Sequence, residues 1–136
     1  MTHRFDLRVY YEDTDLAGIV YYANYLRFIE RARTEWVREM GIDQAALRAA
    51  GFVFAVRRIE ADYLSPARFD DLLRVVTSAR AITPARAVLD QDVQRDGERL
   101  FAAEVTVVCL NAAGRPVRLP AAFRRSAAPG SEFSTS

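Results

Sequence analysis

The spacing of apolar residues changes from that of a strand to that of a helix early in the chain. Apolar and polar positions alternate along "FDLRVY", which predicts a strand over residues 5–10. From about Asn24 to Met40 the apolar positions recur at helical intervals, and Gly41 is suited to end that helix. The apolar stripe of the predicted helix consists of Ile29, Ala32, Trp36, Val37 and Met40.

The rest of the chain has the pattern of one short helix followed by strands. Asp43 can cap "QAALRAA", and Gly51 can end this second helix. The pair Asp96-Gly97 predicts a tight hairpin, and "VRLP" predicts a short last strand. The longer strands are predicted in "FVFAVRRIEADYL" and over residues 71–82, 85–95 and 98–110.

This order of elements predicts an α+β fold in which an antiparallel sheet of about five or six strands curls around one long helix. A chain of 136 residues suits one compact domain, which we assign to residues 1–129. The final "GSEFSTS", residues 130–136, resembles vector-derived sequence, and we expect it to be a disordered or vector-derived tail outside the domain. We expect "FVFAVRRIE" to be an edge strand that pairs with its copy in a homodimer, because long unpaired edges favour association.

Composition and charge exclude several classes of protein. The net charge of +1 gives no support for a nucleic-acid or membrane-surface role. The chain has no apolar run of the roughly 18 residues that a membrane span needs. The opening "MTHRFDLR" does not resemble a signal peptide, so we expect a cytoplasmic location.

The scarcity of certain residue types restricts the chemistry. All 19 basic residues are arginine, which excludes lysine-based Schiff-base catalysis. His3 is the only histidine and Cys109 the only cysteine, so a His/Cys zinc site and a Ser-His-Asp triad are both excluded. Cys109 lies in an apolar strand pattern and is predicted to be a buried, inert thiol. The available chemistry is that of carboxylates, hydroxyls, arginines and backbone dipoles.

The stretch "YYEDTDLAGIVYYANY" is the strongest candidate for a functional site. It places Glu12, Asp13 and Asp15 in a turn just before the main helix, whose N-terminal amides attract negative charge. From spacing alone, Asp15 is also compatible with a simple turn or capping role. The acids are in the wrong register for an EF-hand, so no metal site is expected.

This stretch, extended to "YYEDTDLAGIVYYANYLRFIERART", resembles the signature of the hot-dog-fold acyl-CoA thioesterases of the 4-hydroxybenzoyl-CoA type. It is similar in particular to the bacterial branch associated with the Tol-Pal system. The resemblance continues through "VRRIEADYLSPARFDDLL" and "AEVTVVCLNAAGRPVRLP" and covers nearly the whole chain before the tail. It implies a long central helix wrapped by an antiparallel sheet, two sites at a dimer interface, and a dimer or a tetramer of two dimers.

By the same resemblance, Asp15 corresponds to the catalytic carboxylate and Tyr22 to the helix-start residue whose N–H receives the thioester oxygen. Many relatives in the Tol-Pal branch carry His at the position of Tyr22, so an imidazole role is lost here. Thioester hydrolysis does not require one, because a thiol with a pKa of about 8.5 leaves readily as thiolate. Asp15 is suited to act either as general base or as nucleophile, and the sequence leaves both open.

Nine further residues are candidates for substrate binding, and each has a structural alternative. Gly18 would shape the turn, Asn24 would orient the helix entry, and the apolar segment around Phe54 would form an acyl-pocket wall from the partner subunit. Arginines are expected to bind the phosphates of coenzyme A. The complete set is Gly18, Tyr11, Asn24, Tyr25, Phe54, Val56, Arg57, Arg58 and Arg86.

The predicted function is therefore hydrolysis of an acyl-CoA, or of an acyl-carrier-protein thioester, to the free acid and thiol. No cofactor is expected, since coenzyme A is part of the substrate. The alternative is a non-catalytic acyl-CoA sensor or a scaffold module with the same fold. A dehydratase is disfavoured, because that chemistry usually pairs a carboxylate with an interior histidine.

Overall fold

The computed structural model of the protein describes residues 2–125 and contains an antiparallel sheet of six strands with one long and two short helices. The sheet order is β1-β3-β4-β5-β2, with β6 paired to β5, so the expected α+β hot-dog architecture is confirmed. The elements in chain order are β1 Thr2–Arg8, a 3-10 turn at Tyr11–Asp13, α1 Asn24–Glu39, α2 Gln44–Ala49, β2 Val53–Tyr63, β3 Leu72–Ile82, β4 Ala87–Arg95, β5 Glu98–Leu110, β6 Pro116–Val117 and α3 Ala121–Arg125.

Helix α1 packs its apolar stripe against the concave face of the sheet. Its fully buried residues include Phe28, Ile29 and Trp36, while Glu30 and Arg31 between them are exposed. Gly41 follows the helix at φ +86°, a conformation that favours glycine and ends the helix as expected. Asp43 caps α2 by accepting hydrogen bonds from the amides of Ala45 and Ala46.

The structure differs from the sequence prediction at β1, at α3 and at β6, which is Pro116–Val117 rather than "VRLP". Strand β1 starts earlier than residue 5 and ends at Arg8, because Val9 instead exchanges backbone hydrogen bonds with Asp70 and Asp71. Helix α3 was not predicted, since "AAFRR" is too short to show a helical period. Its Phe123 is buried and packs edge-on against Trp36, so tertiary contact stabilises this helix.

A β-bulge in β2 explains why its sequence starts as an apolar run and then alternates. Val56 pairs with Val107, and Arg58 pairs with the next residue of β5, Thr106, so Arg57 is the additional residue. After the bulge, the alternation of side chains between the two faces of the sheet is shifted by one residue. Phe54, Val56, Ile59, Ala61 and Tyr63 consequently lie opposite core residues of β5, whereas Arg58 and Glu60 lie on the outer face.

Strand β2 is an edge of the sheet, as the sequence predicted. Among residues 2–125 it pairs with β5 alone, and side chains along it remain exposed, with Val56 47%, Ile59 38% and Tyr63 49% exposed. The pairing of this edge with a second copy stays a prediction. The domain limits 1–129 also stay a prediction, and the tail at residues 130–136 lies outside the described residues.

The predicted hairpin at Asp96-Gly97 and the predicted burial of Cys109 are confirmed. Asp96 and Gly97 both have positive φ, +51° and +83°, as a type I′ hairpin between β4 and β5 requires. Cys109 is a free thiol and only 1% exposed. None of the helices within residues 2–125 has the length and apolar character to cross a bilayer.

Candidate active site

The loop between β1 and α1 is shaped by Asp13, which is buried. Its carboxylate accepts the Tyr10 amide at 2.8 Å, and its carbonyl oxygen accepts both the Tyr21 N–H and the side-chain amide of Asn24, each at 2.9 Å. Because these bonds join the start of the loop to the start of the helix, they fix how the acidic segment faces α1. The role expected for Asn24, orienting the helix entry, agrees with this contact.

Asp15 lies at an exposed turn on one arm of this loop. Its N–H donates to the Ile19 carbonyl at 2.9 Å, and its Oδ1 accepts the Ala17 N–H at 2.9 Å. Gly18, at φ +80°, donates its N–H back to the Asp15 carbonyl, so the turn requires a residue that tolerates left-handed backbone. One carboxylate oxygen is thereby held by the backbone while the side chain remains open to solvent.

Tyr22 lies on the other arm, just before the N-cap residue Ala23 of α1. The Tyr22 N–H belongs to the peptide group between Tyr21 and Tyr22. The carbonyl of that group, Tyr21 O, accepts the Asn24 N–H at 2.8 Å, and this bond orients the group. Within the described part of the chain, no residue accepts a hydrogen bond from the Tyr22 N–H itself. A free amide at the positive end of a 16-residue helix is a suitable donor for an anionic oxygen.

Tyr63 also belongs to this arrangement, and no pattern in the sequence predicted it. Its hydroxyl donates to the Tyr22 carbonyl at 2.9 Å, and its ring packs against Tyr22, Tyr25 and Phe101. Burial and the two neighbouring tyrosines raise the pKa of the Tyr63 phenol, so the hydroxyl remains a donor. Tyr63 is far from Tyr22 in sequence, and only the curl of the sheet brings them together.

Two of the other predicted aromatic positions differ in their surroundings. Tyr25 is 3% exposed, stacks on Phe101, and accepts the Ala67 N–H through its hydroxyl, so it is a core residue rather than part of an open surface. Tyr11 is 81% exposed and makes an edge contact with Phe69. Of the two, only Tyr11 presents a surface to an incoming molecule in this chain.

A cavity of about 230 Å³ lies between α1 and the first half of β2, and it includes both Phe54 and Val56. Its apolar lining residues are Phe54, Ala55, Val56, Leu89, Val107, Trp36, Val37 and Phe123, and its polar ones are Glu30, Arg33, Thr34 and Gln44. Phe54 and Val56 therefore line one cavity in this chain, and their expected role as an acyl-pocket wall from the partner subunit stays a prediction.

The three predicted arginines lie together on the outer face of the sheet. Arg57, Arg58 and Arg86 line one depression of about 380 Å³, which Val88, Glu104 and Thr106 complete. Arg58 is ion-paired to Glu60 at 2.9 Å and lies 3.8 Å from Glu104, and this pairing raises the pKa of its guanidinium. Among residues 2–125, no carboxylate lies within 4 Å of Arg57 or Arg86.

Comparison with known proteins gives the family. Residues 9–127 match the thioesterase-like superfamily. The chain belongs to that superfamily. This membership confirms the resemblance seen in the acidic loop and the first helix, and with it the predicted class of enzyme, a thioester hydrolase.

Individual members of the thioesterase-like superfamily are similar over most of their length. The acyl-CoA thioester hydrolase YbgC of Escherichia coli O6:H1 is 43% identical over 109 residues, which are 79% of this chain and 81% of that protein. The crystal structure of a probable thioesterase from Bartonella henselae has a TM-score of 0.84 at 37% identity and covers 88% of this chain and 100% of its own. A 4-hydroxybenzoyl-CoA thioesterase structure, at 22% identity and a TM-score of 0.84, covers 93% of this chain and 99% of its own and shows the same fold.

No set of three or more histidine, cysteine, aspartate or glutamate side chains suited to hold a metal ion occurs within residues 2–125. The candidate site consists of the exposed Asp15 carboxylate, the Tyr22 N–H at the start of α1 and the groups that orient them.

Proposed function

We propose that this thioesterase-superfamily member hydrolyses acyl-CoA thioesters to the free acid and coenzyme A. The observation that carries the proposal is the hydrogen-bonded loop that holds the Asp15 carboxylate and the unpaired Tyr22 N–H on its two arms. Hydrolysis of a thioester needs a group that activates the attack and a donor for the oxygen that gains charge. Asp15 and Tyr22 supply these two groups.

In the general-base route, Asp15 takes a proton from water as the water oxygen bonds to the carbonyl carbon. The carbonyl oxygen becomes an oxyanion, which the Tyr22 N–H and the helix dipole stabilise. Collapse of this intermediate breaks the C–S bond and releases thiolate, which takes up a proton. In the nucleophilic route, the Asp15 carboxylate displaces the thiolate and forms a mixed anhydride that water then opens. Neither route uses a cofactor.

Arg57 and Arg86 are proposed to bind the phosphates of coenzyme A. Both residues line one depression, and within residues 2–125 neither is ion-paired within 4 Å, although Glu104 lines the same depression, so their charge is available to an anion. Arg58 is expected to contribute less to phosphate binding, because its guanidinium already donates a hydrogen bond to Glu60. Phosphate contacts of this kind add binding energy outside the reacting centre.

The proposed active form is a homodimer, or a tetramer of two dimers, joined through β2. An edge strand of 11 residues with exposed Val56, Ile59 and Tyr63 favours pairing with a second copy. Such pairing would bring Phe54 and Val56 of one subunit toward the loop of the other, as an acyl-pocket wall. A cytoplasmic location remains part of this proposal.

The test is release of free thiol from acyl-CoA substrates by wild type, Asp15→Asn and a matched control, Glu12→Gln. Asparagine keeps an oxygen for the Ala17 N–H, so the turn is preserved while the charge is lost. We expect Asp15→Asn to lower kcat by about 100-fold to 10,000-fold. Glu12 is an exposed acid of the same loop, and its variant should match wild type.

Equal rates for wild type and Asp15→Asn would contradict the catalytic role of Asp15. A folded wild type that binds acyl-CoA in calorimetry without releasing thiol would contradict hydrolysis and favour the sensor alternative. Acyl-carrier-protein thioesters belong in the same panel, since they require the same attack and the same oxyanion donor.

A further inference from the structure

The cavity between α1 and β2 contains a charged group that thioester hydrolysis itself does not use. Arg33, in the third turn of α1, lines this cavity and is partly buried. Its Nη1 donates to Gln91 Oε1 at 2.8 Å. Gln91 is fully buried and donates in turn to the Ile29 carbonyl and to Thr77 Oγ1. The guanidinium is therefore held in place by an ordered network of neutral groups.

The charge of Arg33 has no close counter-ion. Within residues 2–125, no carboxylate oxygen lies within 4 Å of its guanidinium nitrogens. Glu30 also lines the cavity, but it accepts a hydrogen bond from the Thr34 hydroxyl at 3.2 Å. Desolvation lowers the pKa of the Arg33 guanidinium, and the charge of Glu30 offsets part of that effect. A partly buried cation with one neutral hydrogen-bond partner in this chain is costly unless an anion reaches it.

The rest of the cavity is suited to hydrocarbon. Phe54, Val56, Val107, Trp36 and Phe123 all contribute apolar lining. A chain bound against these groups would gain hydrophobic energy in proportion to the apolar surface it buries. A chain ending in a methyl group would also remove water from Arg33 without replacing its hydrogen bonds. A chain ending in a carboxylate would replace them with charge-assisted ones.

We propose that this cavity receives the distal end of an acyl chain that terminates in a carboxylate, and that Arg33 binds that carboxylate. The preferred substrates would then be CoA thioesters of dicarboxylic acids rather than of simple fatty acids. This inference rests on the proposed thioester hydrolysis and on Phe54 and Val56 forming the acyl-pocket wall. It assigns Arg33 as a specificity residue, remote from the bond that breaks.

The test compares pairs of substrates that differ only at the distal end. The pairs are butyryl-CoA with succinyl-CoA, hexanoyl-CoA with adipyl-CoA, octanoyl-CoA with suberyl-CoA and decanoyl-CoA with sebacyl-CoA. For wild type we expect kcat/KM to favour the carboxylated member of at least one pair by about 10-fold to 100-fold, the effect of one charged hydrogen bond. In Arg33→Met, which keeps a similar apolar stem, this preference should disappear while the rate on the alkyl member is maintained or rises.

Two further variants separate specificity from folding. Arg33→Lys retains the charge and should retain the direction of the preference. Arg31→Met removes an equal charge from the exposed face of the same helix and should leave the preference unchanged. A general loss of stability would lower kcat/KM for both substrates of a pair by the same factor. The ratio of the two kcat/KM values therefore reports on Arg33 alone.

The outcomes distinguish this inference from the function on which it rests. If wild type hydrolyses the alkyl members as well as or better than their carboxylated partners in every pair, the inference is wrong and hydrolysis stands. The same conclusion follows if Arg33→Met keeps the wild-type preference. If no member of any pair releases thiol, the proposed function fails and the inference fails with it.

Discussion

The hydroxyl of Tyr63 donates a hydrogen bond to the backbone carbonyl of Tyr22 at 2.9 Å. This bond joins the last residue of β2 to the residue that offers the proposed oxyanion donor. The preceding carbonyl, Tyr21 O, accepts the Asn24 N–H, so both peptide groups that flank the Tyr22 Cα are oriented by hydrogen bonds. Tyr63 is thus a positioning residue in the proposed mechanism, acting through the backbone of Tyr22.

Replacing Tyr63 with phenylalanine tests that role. The variant keeps the aromatic packing and removes one neutral hydrogen bond, so we expect kcat to fall by about 2-fold to 10-fold with KM little changed. Tyr21→Phe is the matched control, because Tyr21 also packs on the Tyr22 ring and its hydroxyl makes no hydrogen bond with the described residues. A wild-type kcat in Tyr63→Phe, or an equal loss in Tyr21→Phe, would exclude the positioning role.

The raised pKa of Tyr63 leads to a prediction about pH. A phenol with a pKa above its ordinary value of about 10 stays protonated, and so remains a donor, through neutral and mildly alkaline solution. The ratio of wild-type kcat to Tyr63→Phe kcat should therefore be constant between pH 6 and pH 9, roughly the range over which the phenol keeps its proton. A ratio that falls toward 1 within this range would mean that Tyr63 loses its proton earlier than the structure implies.

Features that depend on neighbouring residues could be predicted from the sequence. The Asp96-Gly97 turn, the Asp43 cap and the apolar stripe of α1 all follow from local patterns, and the structure contains each of them. The acidic loop was recognised for the same reason, since its residues are contiguous. The assignment of Asp15 and Tyr22 as a catalytic pair stays a prediction that the proposed variants test.

Features that depend on register or on distant packing could not be predicted. The bulge at Arg57 is defined by the pairing of β2 with β5. No local sequence pattern indicates which residue of β2 is left without a partner in β5. The network of Arg33 and Gln91 joins a helix to a strand far along the chain, and the contact of Tyr63 with Tyr22 is of the same kind. Tyr25 was predicted to bind substrate, but its position on α1 places its side chain in the core.

The depression that holds Arg57 and Arg86 predicts an effect on binding rather than on chemistry. Arg57→Gln with Arg86→Gln should raise KM for acyl-CoA about 10-fold or more, with kcat nearly unchanged, because the lost contacts are remote from the reacting carbon. Arg74→Gln is a suitable control, since Arg74 lies on another part of the sheet and is paired with Asp6. High salt should raise KM for wild type and have little effect on the double variant.

An unchanged KM in the double variant would exclude these arginines as the phosphate site. Thioesters of pantetheine, which lack the nucleotide phosphates, provide a second comparison. They should be hydrolysed equally by wild type and by the double variant, since the missing phosphates cannot contact either protein.

The exposed inner face of β2 predicts how the dimer can be disrupted. Ile59→Arg places a charge on the proposed interface and should convert the protein to monomers in light scattering after size exclusion. Leu72→Arg is the control, because Leu72 is 59% exposed on β3, away from this edge. Activity should fall with dimer content, since the acyl-pocket wall is proposed to come from the partner. A wild type that is itself monomeric and active would contradict this proposal.

The single thiol of the chain predicts how the enzyme behaves in a thiol-release assay. Cys109 is 1% exposed, and burial raises the pKa of its thiol, so the reactive thiolate is scarce at neutral pH. The folded protein should therefore react slowly with a disulfide reagent such as dithiobis(nitrobenzoate). Unfolding in guanidinium should expose one thiol per chain. Rapid labelling of the native protein would show that β5 opens on the assay timescale. Hydrolysis would then have to be measured through the carboxylic acid that is released.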